Sequence, residues 1–252
     1  MNKQTGWSRR RGVGGLLGVL VVLSVNPVWA QTAWGARVVP WVQMFVANAA
    51  KATFTPTQAI QDLDRTLDEY RTGEHLTEVD LAFNRLLKRR VLYGIFDIRE
   101  LCRISLGSHW QGRSQTEQDH LVDLMTSLME EKAILSKEQG QKKGKGNRVY
   151  QIRYLGEKAL NGGREQVLVK TRVAVPSHDV IVNLNYKLRR NKGIWKIYDV
   201  IVDDSSLVEN YTYQFTNIIE KHGYPELTSR MEKKLAEIRR QAAQDDATAA
   251  TP

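Results

Sequence analysis

Five histidines, one cysteine and a short run of acids are the side chains from which this sequence could build a reactive site. His75, His109, His120, His178 and His222 are scattered. None forms an HxxxH or HExxH pair, so metal-ligand spacing is missing. Cys102 stands alone, which excludes an intramolecular disulfide framework and a multi-cysteine metal site. Its neighbours Leu101, Ile104 and Leu106 read it as a small core residue. No GxSxG elbow presents a nucleophile. The glycines of 139–147 do not cradle a phosphate, because no Ser or Thr follows a Gly-Lys there and no apolar strand runs in. A solvated basic loop is expected instead. Two acidic features remain. Asp203-Asp204-Ser205-Ser206 sits where a strand enters a helix, the place of an N-cap. Asp199, between Tyr198 and Val200, is either a solvent-facing or ion-paired strand residue or, inside a cupped α+β fold, the acid/base of a small-molecule enzyme. No metal or cofactor is implied.

The elements around these residues run helices, strands, helices. Thr55-Pro56 opens a helix with Ile60, Leu63, Leu67 and Tyr70 at helical spacing, and Gly73 closes it. A second helix starts near Glu78 and ends on Lys88, Arg89 and Arg90, followed by an apolar connector, Val91–Phe96, that contains Gly94. Asp97 caps a third helix over about 98–107. Ser114-Gln115-Thr116-Glu117 is a capping box for a fourth, with Leu121, Leu124, Met125, Leu128 and Met129 as its stripe. Strand signals follow at Val149–Leu155, Val167–Val175, Val180–Leu188 and Ile194–Val202, with a turn at Asn191-Lys192-Gly193. Their period-2 alternation argues for an antiparallel meander with one wet and one apolar face. Ser206 begins a helix with the stripe Val208, Tyr211, Phe215, Ile218 and Ile219, and Pro225 begins the last, with Leu227, Met231, Leu235 and Ile238 inward. The fold class is α+β: an antiparallel four- or five-stranded sheet packed by N-terminal and C-terminal helices.

The N-terminus has a different character. Residues 1–11 carry Lys3, Arg9, Arg10 and Arg11 and no acid, and 12–25 are apolar or glycine apart from Ser24. Val28 and Ala30 then suit the −3 and −1 positions of a cut. This is the layout of a secretory signal peptide, and its apolar run is short for a span of about 20 residues. An uncleaved anchor and cleavage after Ala49 are the alternatives. The expected organisation is a signal peptide at 1–30, a flexible leader at 31–53, one domain at 54–240 and a disordered tail at 241–252. The whole chain of 252 residues has formal charge +9, from 37 Lys and Arg against 28 Asp and Glu. Cleavage after Ala30 removes four of those positive charges and lowers the total to +5. That is too mild to argue for nucleic acid. With 42% hydrophobic and 26% charged residues, a largely disordered chain and a polytopic membrane protein are both excluded.

A longer pattern joins these pieces. It is a Trp-x-x-x-Asp-Val strand at Trp195–Val200, a Ser206-Leu207-Val208 helix start, then Asn210-Tyr211 and Gln214-Phe215. Phe96-Asp97 and Leu106-Gly107-x-x-Trp110, ahead of a Ser-initiated helix, agree with it. In these motifs, and in element order over about 55–240, the chain resembles the MlaC family, also called the toluene-tolerance family. These are the periplasmic phospholipid-binding components of Mla lipid transport. Two departures stand out: Asp203-Asp204 where that family usually shows Glu-Gly, and Thr212-Tyr213 where Arg-Ser is common.

The resemblance implies a periplasmic carrier without enzymatic activity. Such a carrier holds a phospholipid by its acyl tails in an apolar cavity, with the headgroup outside. It implies shuttling between an outer-membrane lipoprotein–porin complex and an inner-membrane MCE-protein ABC transporter complex, in maintenance of outer-membrane lipid asymmetry. On this reading Val169, Val173, Val182, Leu184, Tyr186, Tyr198 and Val200 form the cavity floor. Phe83, Leu87, Phe96, Tyr211 and Phe215 form its helical wall. For any one of them, ordinary core packing is the alternative.

Overall fold

The computed structural model describes residues 54–71, 76–132, 150–162, 165–175 and 180–249. The expected signal peptide, the leader, Gly73 and the basic loop at 139–147 lie outside the described residues. Four helices come first: α1 (Pro56–Asp68), α2 (Glu78–Ile95), α3 (Ile98–Leu106), continued by a 3-10 turn, and α4 (Gln115–Lys132). The strands β1 (Gln151–Ala159), β2 (Gln166–Val175), β3 (Val180–Asn191), β4 (Ile194–Val202) and the two-residue β5 (Ser205–Ser206) follow, then α5 (Leu207–His222) and α6 (Tyr224–Ala249). The strands form one antiparallel sheet in sequence order, as the alternating patterns require.

Register aligns the apolar positions. Val167, Val169 and Val173 pair with Leu188, Tyr186 and Val182. On the other side of β3, Leu184, Tyr186 and Leu188 pair with Val202, Val200 and Ile197. A bulge at Tyr198, where Lys187–Leu188 meets Ile197–Asp199, keeps Ile197 and Val200 on the same face although they are three residues apart. The tight turn Lys192-Gly193 has φ of 49° and 80°, and Asp203-Asp204 has 43° and 70°, the positive values of a two-residue type I′ hairpin.

Two apolar cores result. One joins the sheet's apolar face to Ala59, Ile60 and Leu63 of α1 and to Val91 and Ile95 of α2. The other is helical and is built by α3, α4, α5 and α6 around Leu101, Cys102, Leu106, Met125, Phe215 and Leu227. Phe96, between α2 and α3, packs against both. Its backbone lies beside β4, where the Asp97 amide donates to the Ile197 carbonyl at 2.7 Å.

Two elements differ from expectation. The segment Val91–Phe96 is not a connector, because α2 runs through it to Ile95. Leu87, Val91 and Ile95 keep the four-residue spacing and are all buried, so tertiary burial carries the helix past Lys88-Arg89-Arg90 and through Gly94. At the other end, α6 continues to Ala249, past the expected start of the tail at 241. The sequence there lacks Gly and Pro and is rich in alanine, the strongest helix former.

Candidate functional site

The face that could hold a ligand is built from local choices. Thr55 and Gln58 close a capping box that starts α1, and Thr77 and Asp80 close one that starts α2. Hydrogen bonds from the Thr77 hydroxyl and amide, with Arg71 beside them, hold the Asp80 carboxyl down at about 2. Both helices then lay one apolar stripe on the sheet. Val169, Leu188 and Ile197 are fully buried there, and Val182, Tyr186, Trp195, Val200 and Val202 nearly so. Leu67, Phe96, Tyr154, Val180 and Leu184 are partly buried against this core.

Few polar groups enter this region, and they are engaged. The Thr171 hydroxyl donates to the Leu184 carbonyl. The Tyr150 hydroxyl donates to Asp64 Oδ1 at 2.9 Å. Burial, and then the negative charge of its neighbours Tyr154 and Asp64, pushes the Tyr186 phenol up, so it stays neutral. A cavity lined by Phe54, Ala59, Asp62, Gly94, Ile95, Ile194 and Trp195 has a volume of about 10 Å³, the space of one water rather than an acyl chain.

The residues expected to line a ligand fall into separate places. Val169, Val182, Leu184, Tyr186 and Val200 lie together in the sheet core, and Val173 is buried beside them as the register partner of Val182. Phe96 sits between the two cores. Leu87 is buried on α2, and Phe83 is half-buried with the Arg71 guanidinium 4.2 Å above its ring. Tyr198 is buried at the bulge, where its hydroxyl reaches Gln166 at 3.5 Å. Tyr211 and Phe215 are in the helical core, stacked at 5.4 Å, and do not join the sheet face. Sequence reading did not assign Ala59, Ile60, Leu63 or Trp195 to this site. The helical period of Ile60 and Leu63 was a signal for them, but nothing local says which surface a stripe will cover.

Asp199 is almost fully buried, which removes the solvent-facing alternative. Its Oδ2 accepts from the Ser206 hydroxyl at 2.8 Å and from Lys187 Nζ at 2.9 Å, and its Oδ1 accepts from the Val208 amide at 3.1 Å. Ser206 in turn accepts from the Glu209 amide and caps α5. The carboxylate therefore ties β3, β4 and the start of α5 together, with both of its oxygens engaged. Asp97 plays a similar part. It caps α3 and accepts from Arg189 at 2.9 Å and Asn191 at 2.8 Å, while Arg189 also pairs with Glu100 at 3.1 Å. Burial pushes the Asp97 carboxyl up, but the bonds from Asn191, Arg189 and the Glu100 amide outweigh it and hold the group below the usual carboxylate value. Burial pushes the Cys102 thiol far up, so it is not a nucleophile. Among the described residues, no three His, Cys, Asp or Glu side chains are arranged to hold a metal ion.

An antiparallel meander with one apolar face, closed by helices from both ends of the chain and with its buried carboxylates engaged in caps and junctions, defines an α+β protein with an apolar interior. Residues 61–233 match the family described as MlaC protein, and the chain belongs to that family. It is similar in structure to the phospholipid-binding protein from Ralstonia solanacearum, solved in complex with a phospholipid. The TM-score is 0.55 at 21% identity, covering 73% of this chain and 96% of that one. No curated protein sequence matches the chain. No described helix is long and apolar enough to cross a membrane.

Proposed function

We propose that this chain is a periplasmic phospholipid carrier. Its tails rest on the apolar face of β2, β3 and β4, under α1 and α2, and the headgroup stays outside. The observation that carries this reading is that continuous apolar sheet face, whose few polar groups are already partnered. Family membership and a structural neighbour that holds a phospholipid support it. In the described structure α1 and α2 touch the sheet, so a tail enters by parting them. Leu184, Val180 and Tyr154, partly exposed against this core, form the mouth. The physics favours such a site. Each buried methylene contributes about 0.8 kcal/mol, so two chains of roughly 30 methylenes stand to lose on the order of 20 kcal/mol in water. A carrier must cover the tails and needs little else. We place it between an inner-membrane MCE-protein ABC transporter complex and an outer-membrane lipoprotein–porin complex, in maintenance of outer-membrane lipid asymmetry. The N-terminal segment directs export.

The test is organic extraction of protein purified without detergent. Phospholipid in the extract, and uptake of labelled phospholipid by delipidated protein, are expected. Leu184→Trp, which fills the mouth, should lower uptake several-fold. Phe215→Leu, in the helical core, should cost about 1–2 kcal/mol of stability and leave the lipid content unchanged. Protein that yields no phospholipid and takes up none would end the proposal.

A further inference from the structure

The opposite face of the sheet has a character of its own. Outward register positions on β1, β2 and β3 carry Arg153, Lys158, Lys170, Arg172, Lys187 and Arg189, and none carries Asp or Glu. Lys187 and Arg189 are neutralised by Asp199, Asp97 and Glu100 near β4, where α3 and α5 cover the sheet. The other four are different. Among the described residues, Arg153, Lys158, Lys170 and Arg172 make no ion pair, and all four are exposed. The single polar bond of this group runs from Arg172 Nε to Asn183 Oδ1 at 3.3 Å. Arg153 and Arg172 are direct cross-strand partners. Like charges so placed repel each other and weaken the pair. The one carboxylate on β1, Glu157, falls at an inward position and accepts from the Thr57 amide of α1. Ile181, in the row beyond Arg172, is 66% exposed and adds an aliphatic side chain to the same surface.

We propose that this uncovered face docks the protein onto an anionic phospholipid bilayer. Four uncompensated cations spread over β1 and β2, with no Asp or Glu at the outward positions of β1–β3, match a surface of mobile negative headgroups. An acidic protein would instead call for pockets and fixed pairs. Each cation near such a surface contributes about a fivefold gain in partitioning. The Arg153–Arg172 repulsion is relieved on contact, and Ile181 reaches into the headgroup layer. The inference goes beyond the carrier reading and does not require a lipid in the interior.

Flotation with two vesicle types tests it: phosphatidylcholine alone, and phosphatidylcholine with about 30% phosphatidylglycerol. The protein should float with the anionic vesicles at about 50 mM salt and be released at about 300 mM, as the Debye length shrinks. The variant R153Q/K170Q/R172Q should bind on the order of a hundredfold more weakly. Its phospholipid content on extraction should equal that of the parent, and its thermal midpoint should be equal or higher. Should the variant fail to fold, the salt and composition dependence of the parent still decide the matter. Equal recovery with both vesicle types, as an acidic-protein partner would predict, overturns the proposal. So does undiminished binding by a folded variant. A variant whose vesicle binding and lipid content fall together also overturns it, because the face would then act through the interior. A parent that yields no phospholipid and takes up none would refute the carrier and leave the vesicle comparison intact.

Discussion

Single residues in this protein hold elements together that chain distance keeps apart. Asp97 is the clearest case. It precedes α3, yet its partners Arg189 and Asn191 come from the far end of β3. Nothing in the local sequence marks that junction, and an Asp before a helix reads only as a cap. Asp199 was legible as an acid in a strand, but not as a buried one, because Ser206, Val208 and Lys187 reach it only after the sheet has folded. The Asp97 junction makes a pH-dependent prediction. Its carboxyl is held below the ordinary value, so its contribution to stability is present above the unfolded pKa of about 4 and is lost as pH falls through the lower folded value. Arg189→Met removes one of the bonds that hold it there. The variant should lose about 2 kcal/mol at pH 7. The deficit should shrink as the pH is lowered below about 4, where Asp97 takes up its proton first in the variant and then, through its lower folded value, in the parent. Urea titrations at several pH values measure this. A deficit that stays constant down to pH 3 would remove Asp97 from the account.

Elements were more legible than residues wherever one surface is apolar. The alternation in β2, β3 and β4 pointed to the meander, and its register is pinned because a one-residue slip would turn every valine outward. Ser114 and Ser206 marked the starts of α4 and α5, and each hydroxyl accepts from the amide three residues on. The end of α2 was misread since its last turns look like a basic terminus followed by a strand-like apolar run. Only the sheet beneath shows that Val91 and Ile95 continue one helical stripe. The site was legible by halves. The sheet face was grouped correctly by period, while Tyr211 and Phe215, equally apolar, went to another core because α5 packs on α3 and α6. The turn between β4 and β5 gives the prediction at this scale. Asp204 stands at φ 70°, in the region where glycine is unstrained. Asp204→Gly should therefore raise stability by about 0.5–1 kcal/mol, or the melting midpoint by a few degrees. Asp203→Gly should not, because the Asp203 carboxylate accepts from the Asn183 amide at 2.9 Å and that bond would be lost. Thermal denaturation of the two variants separates them, and a lower midpoint for Asp204→Gly would show the turn is not strained at that position.

At the scale of the whole molecule, two cores share one chain and are joined by Phe96, by the Asp97 junction and by Asp199. That division lets one core change while the other stays. The helical core closes on itself, with Leu101, Cys102, Met125, Phe215 and Leu227 essentially without exposed surface. The sheet core is different. Leu184, Val180 and Tyr154 are partly exposed, and α1 and α2 lie on the strands, from which they can separate only by losing apolar contact. On the carrier proposal, a phospholipid tail placed there replaces one apolar surface with another, so α1 and α2 lift without exposing the sheet to water. On the carrier proposal, removing the lipid takes away its share of this core's stability. Hydrogen exchange of loaded and delipidated protein resolves the matter by location. Amides of α1, α2, β2 and β3 should lose protection on delipidation, by tenfold or more where the lipid was bound at 100 times its dissociation constant. Amides of α4 and α5 around Met125 and Phe215 should keep most of theirs. Equal loss in both cores would mean that the molecule opens as one body. Loss confined to α3–α6 would place the tails in the helical core, with Tyr211 and Phe215 as their contacts.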